Sequence, residues 1–186
     1  MSIQSWQETL VSATADSTAL TASVTATTIL VPMAVFTLPA NYFYVGRRIK
    51  ISASGRVSNI VTTPGTLTLD LRFGAVIAAN GGAMALNTTA KTNVPWHLEW
   101  VLTCRSVGSG TTATMMHQGR WSSESVIGSA APAAGGSGTH MLPNVTPVVG
   151  TGFDSTSALA VNLFGTWSLN NANSILTHQY MLESMN

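Results

Sequence analysis

The chain has 186 residues, 45% of them hydrophobic and only 8% charged, and eight Lys and Arg against seven Asp and Glu leave a net charge of +1. That length is enough for one domain with a substantial core and no disulfide or metal staples. Without clustered cations there is no electrostatic footprint for nucleic acid, and charge so far below the globular norm of about 25% leaves a membrane protein, a glycosylated secreted protein or a subunit of a large assembly.

Pattern weighs against the first two options. The most apolar stretch, Ile29 to Ala40, is broken by Pro32 and Pro39 and falls short of the roughly 20 residues a spanning helix needs. Met1 to Glu8 has neither a basic start nor an apolar run, so no secretion signal is read there. The assembly subunit is the expectation.

In chain order, residues 1–17 are polar, with isolated Trp6, Leu10 and Val11 and no sustained period. They read as an N-terminal arm that orders against a neighbouring subunit, with Trp6 as its aromatic anchor; one helical turn is expected near Ser5 to Leu10. Residues 18–186 read as a single β domain. Leu20, Val24, Ile29 and Val31 among threonines suggest the first strands, and Met33 to Leu38 another. After the turn at Leu38-Pro39-Ala40-Asn41 come Tyr42 to Gly46 and then Arg48 to Gly55, with Ile49, Ile51 and Ala53 inward. Arg47, Arg48 and Lys50 are the densest basic cluster and read as a solvated strand edge. Thr66 to Phe73 alternates cleanly, Leu67, Leu69, Leu71 and Phe73 sharing one face.

Residues 74–93 read as a long loop holding one short strand. A long hairpin follows: Trp96 to Arg105, a Gly108-Ser109-Gly110 turn, then Thr111 to Trp121. Trp96, Leu98, Trp100, Leu102 and Cys104 share its apolar face. Gly128 to His140 reads as a surface loop, Pro147 to Thr151 and Ala158 to Trp167 as strands, and Ser174 to Glu183 as the last strand. That strand would put Ile175, Thr177, Gln179, Met181 and Glu183 on one side and Leu176, His178, Tyr180 and Leu182 on the other. The fold class is therefore all-β, a two-sheet antiparallel sandwich of jelly-roll type with an extended arm. Exposed edges and faces in so uncharged a domain call for self-association.

Chemistry is sparse. His97, His117, His140 and His178 lie in separate segments, and no two of them have the i, i+2 or i, i+4 spacing, with a carboxylate beside it, that zinc sites show, so no metal and no other cofactor is expected. No Gly-x-Ser-x-Gly elbow appears, and Gly135-Gly136-Ser137-Gly138 lacks the following Lys-Ser/Thr of a phosphate cradle. Glu99 and Glu124 can approach across the hairpin, but both read as outward and solvated, so no catalytic residue is assigned. Cys104 is the one cysteine, which excludes an intrachain disulfide; its apolar row makes it a small buried hydrophobe. Trp96 and Trp100 read as core. Trp121 and Trp167 are undecided, and Trp121, Tyr42 and Tyr44 are the aromatic residues open to a glycan at one sandwich end.

Several stretches in order resemble tailed-bacteriophage virion proteins with a jelly-roll domain. They are Leu38-Pro39-Ala40-Asn41 with Val45-Gly46, Ile49 to Gly55, Thr63-Pro64-Gly65-Thr66-Leu67-Thr68-Leu69 into Leu71 to Gly74, Pro95 to Glu99 with Leu102 to Ser106 and Gly108, and Asn173-Ser174-Ile175 with His178-Gln179 and Leu182-Glu183. The resemblance spans residues 38 to 183 and implies a particle component, often a homotrimer, with no catalytic residue to carry over. It implies a virion location, assembled in the host cytoplasm. The expected partners are sister copies and the major capsid protein or other virion proteins, with no membrane and no nucleic acid. The first expectation is a decoration or minor capsid protein on the outside of the head; the rival is a tail-tip or fibre module adhering to a host glycan. An enzyme such as a cell-wall hydrolase would need a buried acidic pair that the sequence does not offer.

Overall fold

Alternating apolar and polar residues pair into antiparallel ladders throughout the computed structural model, which describes residues 6–129 and 138–185. The strands are β1 (Gln7–Ser12), β2 (Leu20–Thr21), β3 (Thr27–Thr28), β4 (Phe36–Leu38), β5 (Arg48–Asn59), β6 (Thr66–Phe73), β7 (Val76–Leu86), β8 (Lys91–Ser106), β9 (Thr114–Ser123), β10 (Val126–Ser129), β11 (Thr139–Leu142), β12 (Leu159–Trp167) and β13 (Ser174–Met185). The larger sheet runs β1-β13-β5-β8-β9-β11, with β2 also on β13; the smaller runs β10-β7-β6-β12-β3, with β4 also on β12. Strands β5, β8 and β13 thus alternate along the chain with β6, β7 and β12 of the opposite sheet. That crossing between sheets is the jelly-roll arrangement expected.

The core lies where the inner faces meet. Leu67, Leu69, Leu71 and Phe73 of β6 and Val161, Leu163 and Trp167 of β12 face Ile49, Ile51, Trp96, Leu98, Trp100 and Leu102 of the larger sheet, all buried. Phe43, Phe73 and Phe153 close one end, with ring centroids 4.9 to 5.7 Å apart. Near the other end two buried amides hold loops. The Asn59 Nδ2 donates to the carbonyls of Ile60, Asn87 and Thr89, while its Oδ1 accepts from Ser125 Oγ. The Asn173 Nδ2 donates to Pro64 O at 2.6 Å, and its Oδ1 accepts from Ile60 N.

Four local expectations change. Residues 7–12, read as part of an arm with a helical turn, form β1 instead, because β13 offers an open edge with Gln7 opposite Met185 and Ser12 opposite Met181. The chain stays docked beyond it, through Ala13 N to Tyr180 O and Ser17 N to Thr177 O. Residues 76–86, read within a long loop holding one short strand, form the long strand β7. Their Ala and Gly content is poor strand material, yet a Cβ on Gly81 would come 2.9 Å from Leu69 O and 3.5 Å from Trp100 Cη2. The bar to a side chain at Gly81 is the Leu69 carbonyl of the neighbouring strand β6, while the tryptophan from the other sheet sits at ordinary contact distance. Pro147 to Thr151 is not a strand: it makes one bridge, Met116 to Val149. In β13 a bulge between Thr177 and Gln179 reverses the faces, so Ile175 and Thr177 point inward before it and Tyr180 and Leu182 after it. The Gly128 to His140 loop falls partly outside the described residues; Val126–Ser129 and Thr139–Leu142 at its two ends are strands.

Candidate functional site

The outward positions of the larger sheet line up across strands. Gln179 of β13 lies opposite Ser54 of β5, Ser54 opposite His97 of β8, and His97 opposite Ser122 of β9. Ser122 Oγ in turn meets Thr139 Oγ1 at 3.1 Å, and Ser54 Oγ donates to Gln179 Oε1 at 3.3 Å. One rung along, Met181, Ser52, Glu99 and Arg120 form the next row. Because the strand period is two, the residues that bury Ala53, Leu98 and Trp121 inward necessarily present this polar set outward.

Two depressions follow the first row. A groove of about 340 Å³ is lined by Ser12, Ala13, Ser52, Ser54, His97, Gln179 and Met181. Beyond His97 a wider hollow of about 440 Å³ continues along Pro95, Trp96, His97, Ser122, Glu124 and Thr139. Small serine and alanine side chains set between Gln179, Met181 and His97 make the floor. The track is shallow, open and predominantly uncharged, and it offers hydroxyls, an amide and an imidazole, so it can both donate and accept hydrogen bonds. Trp96 and Tyr180 border it but are buried, so hydrogen bonding, not ring stacking, is what this surface supplies.

Glu99, Glu124, Asp70 and Asp16 are each paired. Glu99 pairs with Lys50 at 3.1 Å and Glu124 with Lys91 at 3.2 Å, and Glu99 lies opposite Arg120, so the two glutamates do not form an acidic pair. The ammonium of Lys50 holds the Glu99 carboxyl below its usual range, the opposite of what a general acid needs. Asp70 is bound by Arg72, and Asp16 meets His178 Nδ1 at 2.8 Å. Among the described residues no group of three or more His, Cys, Asp or Glu could hold a metal ion.

Of the aromatic residues named from sequence, Tyr42 and Tyr44 meet at Arg47, while Trp121 lies in the core. Trp121 is fully buried, at 0% exposure, with its ring stacked on Trp96; as an inward residue of β9 it is unavailable to a glycan, and that assignment is corrected. Tyr42 is half-buried beneath the Arg47 guanidinium, 3.8 Å from ring centroid to Cζ, whereas Tyr44 is 49% exposed on the same loop. Leu10 and Val11 pack against the protein's own core, while Trp6 remains 43% exposed. Trp167 is buried and donates its Nε1 proton to Leu20 O. The transverse row itself escaped sequence reasoning: His97 was visible as outward, but its alignment with Ser54 and Gln179 depends on a register that only pairing sets.

No family model matches the chain, and no curated protein matches it. Among solved structures the chain is similar to the CBM2 module of the Lactobacillus casei BL23 phage J-1 evolved Dit, at 10% sequence identity and a TM-score of 0.34, over 99% of this chain and 98% of that chain. At those values the likeness carries no functional argument.

Proposed function

We propose that this chain is a non-enzymatic bacteriophage virion module that adheres to neutral glycan chains through the outer face of its larger sheet. The observation that carries the reading is the row Gln179, Ser54, His97 and Ser122, set along two adjoining open depressions. An extended track suits a chain-like polyol better than an enclosed pocket would, and uncharged donors and acceptors match sugar hydroxyls. The sequence resemblance to virion jelly rolls supports the setting. A single shallow site of this kind binds weakly, and several copies on one particle supply avidity.

The test is binding of purified protein to polysaccharides of candidate host cells, by glycan array and calorimetry, with Gln179→Ala and His97→Ala beside wild type. Loss of binding in both variants with unchanged melting supports the track; binding that survives both, or no binding to any glycan, counts against it.

A second reading, a homotrimeric head decoration or minor capsid protein that stabilises the shell, draws on a different surface. Met141, Val145, Val148 and Val149 are exposed within nine residues, and Trp6 stands out from β1; apolar groups so placed suit a protein partner. Mixing the protein with undecorated heads, with and without Trp6→Ala, tests it: saturable binding lost in the variant would favour the shell.

A further inference from the structure

A cleft at the side of the sandwich is separate from the outer track. It holds about 380 Å³ between β7, β9 and the segment after β11, and its walls are Ile77, Pro143, Val145, Val148 and Val149 with the glycines 82 and 150. No Lys, Arg, Asp or Glu lines it. His117 does, although its residue is only 4% exposed.

The state of that imidazole follows from its neighbour. The Trp100 Nε1–H donates to His117 Nδ1 at 3.3 Å, with the two rings edge to face. An indole nitrogen only donates, so Nδ1 must be unprotonated, and the neutral ring carries its proton on Nε2. Burial pushes the imidazole's pKa down and keeps it neutral. Among the described residues no protein group accepts the Nε2–H. At the cleft's other side Asn80 Oδ1 is occupied by Gly82 N–H at 2.8 Å, which leaves the Asn80 NH₂ as a second donor.

We propose that this cleft binds the acetamido group of an N-acetylated amino sugar, the methyl packing among Ile77, Val148 and Val149 and the carbonyl oxygen accepting from His117 Nε2–H. Donors without any cation favour a neutral acceptor over an anion, and an apolar wall beside a fixed donor fits an acyl group better than a bare sugar hydroxyl. The sugar, rather than another acylated compound, rests on the glycan reading above; the cleft is a different site from the outer track.

The experiment titrates the isotope-labelled protein with N-acetylglucosamine and, in parallel, with glucose, following imidazole nitrogen signals of every histidine. The expected result is a shift at His117 with N-acetylglucosamine alone and, followed at the backbone amides of Ile77, Val148 and Val149 in both proteins, an affinity at least about fivefold lower in His117→Phe. No shift at His117 in wild type, or equal shifts with glucose, overturns the proposal whether or not the variant folds. The two readings separate cleanly: a polysaccharide that moves His97 while N-acetylglucosamine leaves His117 still keeps the outer track and removes the cleft, and the reverse result removes the track and keeps the cleft.

Discussion

The rings of Trp96 and Trp121 stack with centroids 4.9 Å apart and planes 15° from parallel. They sit on adjacent strands, diagonal neighbours on the inner face of the hairpin, since Leu98 lies opposite Trp121 and Trp96 opposite Ser123. The pair therefore ties β9 to β8 on the inner face of the larger sheet. Trp121→Ala should cost about 3–5 kcal/mol of stability, measured by denaturant unfolding, and leave glycan binding by the folded fraction intact. A variant of normal stability that no longer binds would return Trp121 to the binding surface.

Cys104 is fully buried, and its Sγ lies 3.3 Å from Ser106 O. Burial raises its pKa, which further suppresses the thiolate that reacts. The native protein should resist a maleimide or a disulfide reagent for hours, then yield one thiol per chain on denaturation. Rapid native labelling would contradict the burial.

His117 predicts a pH dependence of stability. Its folded pKa lies below the ordinary 6.5, so as pH falls the unfolded chain takes up this proton first. The contribution is present above about pH 6.5 and is lost as pH drops through that value towards the folded pKa. Comparing urea midpoints from pH 7.5 to 5, His117→Phe should show a shallower decline than wild type. Parallel curves would mean that the imidazole titrates normally.

Gly55 of β5 has no room for a side chain: a Cβ there would collide with the Leu176 carbonyl. That carbonyl also accepts the Trp96 Nε1 proton at 3.2 Å, beside the bulge of β13. Gly55→Ala should push β13 away from β5 and lower stability by about 1–3 kcal/mol. Ser54→Ala next to it, on the outer face, should stay within about 0.5 kcal/mol, so paired melts test whether close backbone approach is the cause.

What could be read from sequence was whatever a strand's own period states. Thr66 to Phe73 and Trp96 to Cys104 declared their inner faces because large apolar residues alternate there without interruption. The strand β7 did not, since its alanines and glycines show no alternation and Gly81 answers to the Leu69 carbonyl of the neighbouring β6. The faces of β13 were misjudged past Thr177 because a bulge is a property of the pair, and its partner Gly55 lies 122 positions away by number (177 − 55). Likewise Trp121 looked undecided alone and became core once Leu98 was set opposite it. The outer row is legible only after registers are known, because Gln179, Ser54 and His97 come from three distant segments.

Gln7 and Met185 face each other at the same end of the antiparallel β1–β13 ladder. Tension applied through those two positions would peel the ladder one rung after another instead of shearing all its hydrogen bonds at once. Such loading makes β1 the part that yields first, while β13 keeps its other partner, β5, and with it the row that holds Gln179. A copy held by those two positions would thus lengthen under a tug with β13 and β5 still paired.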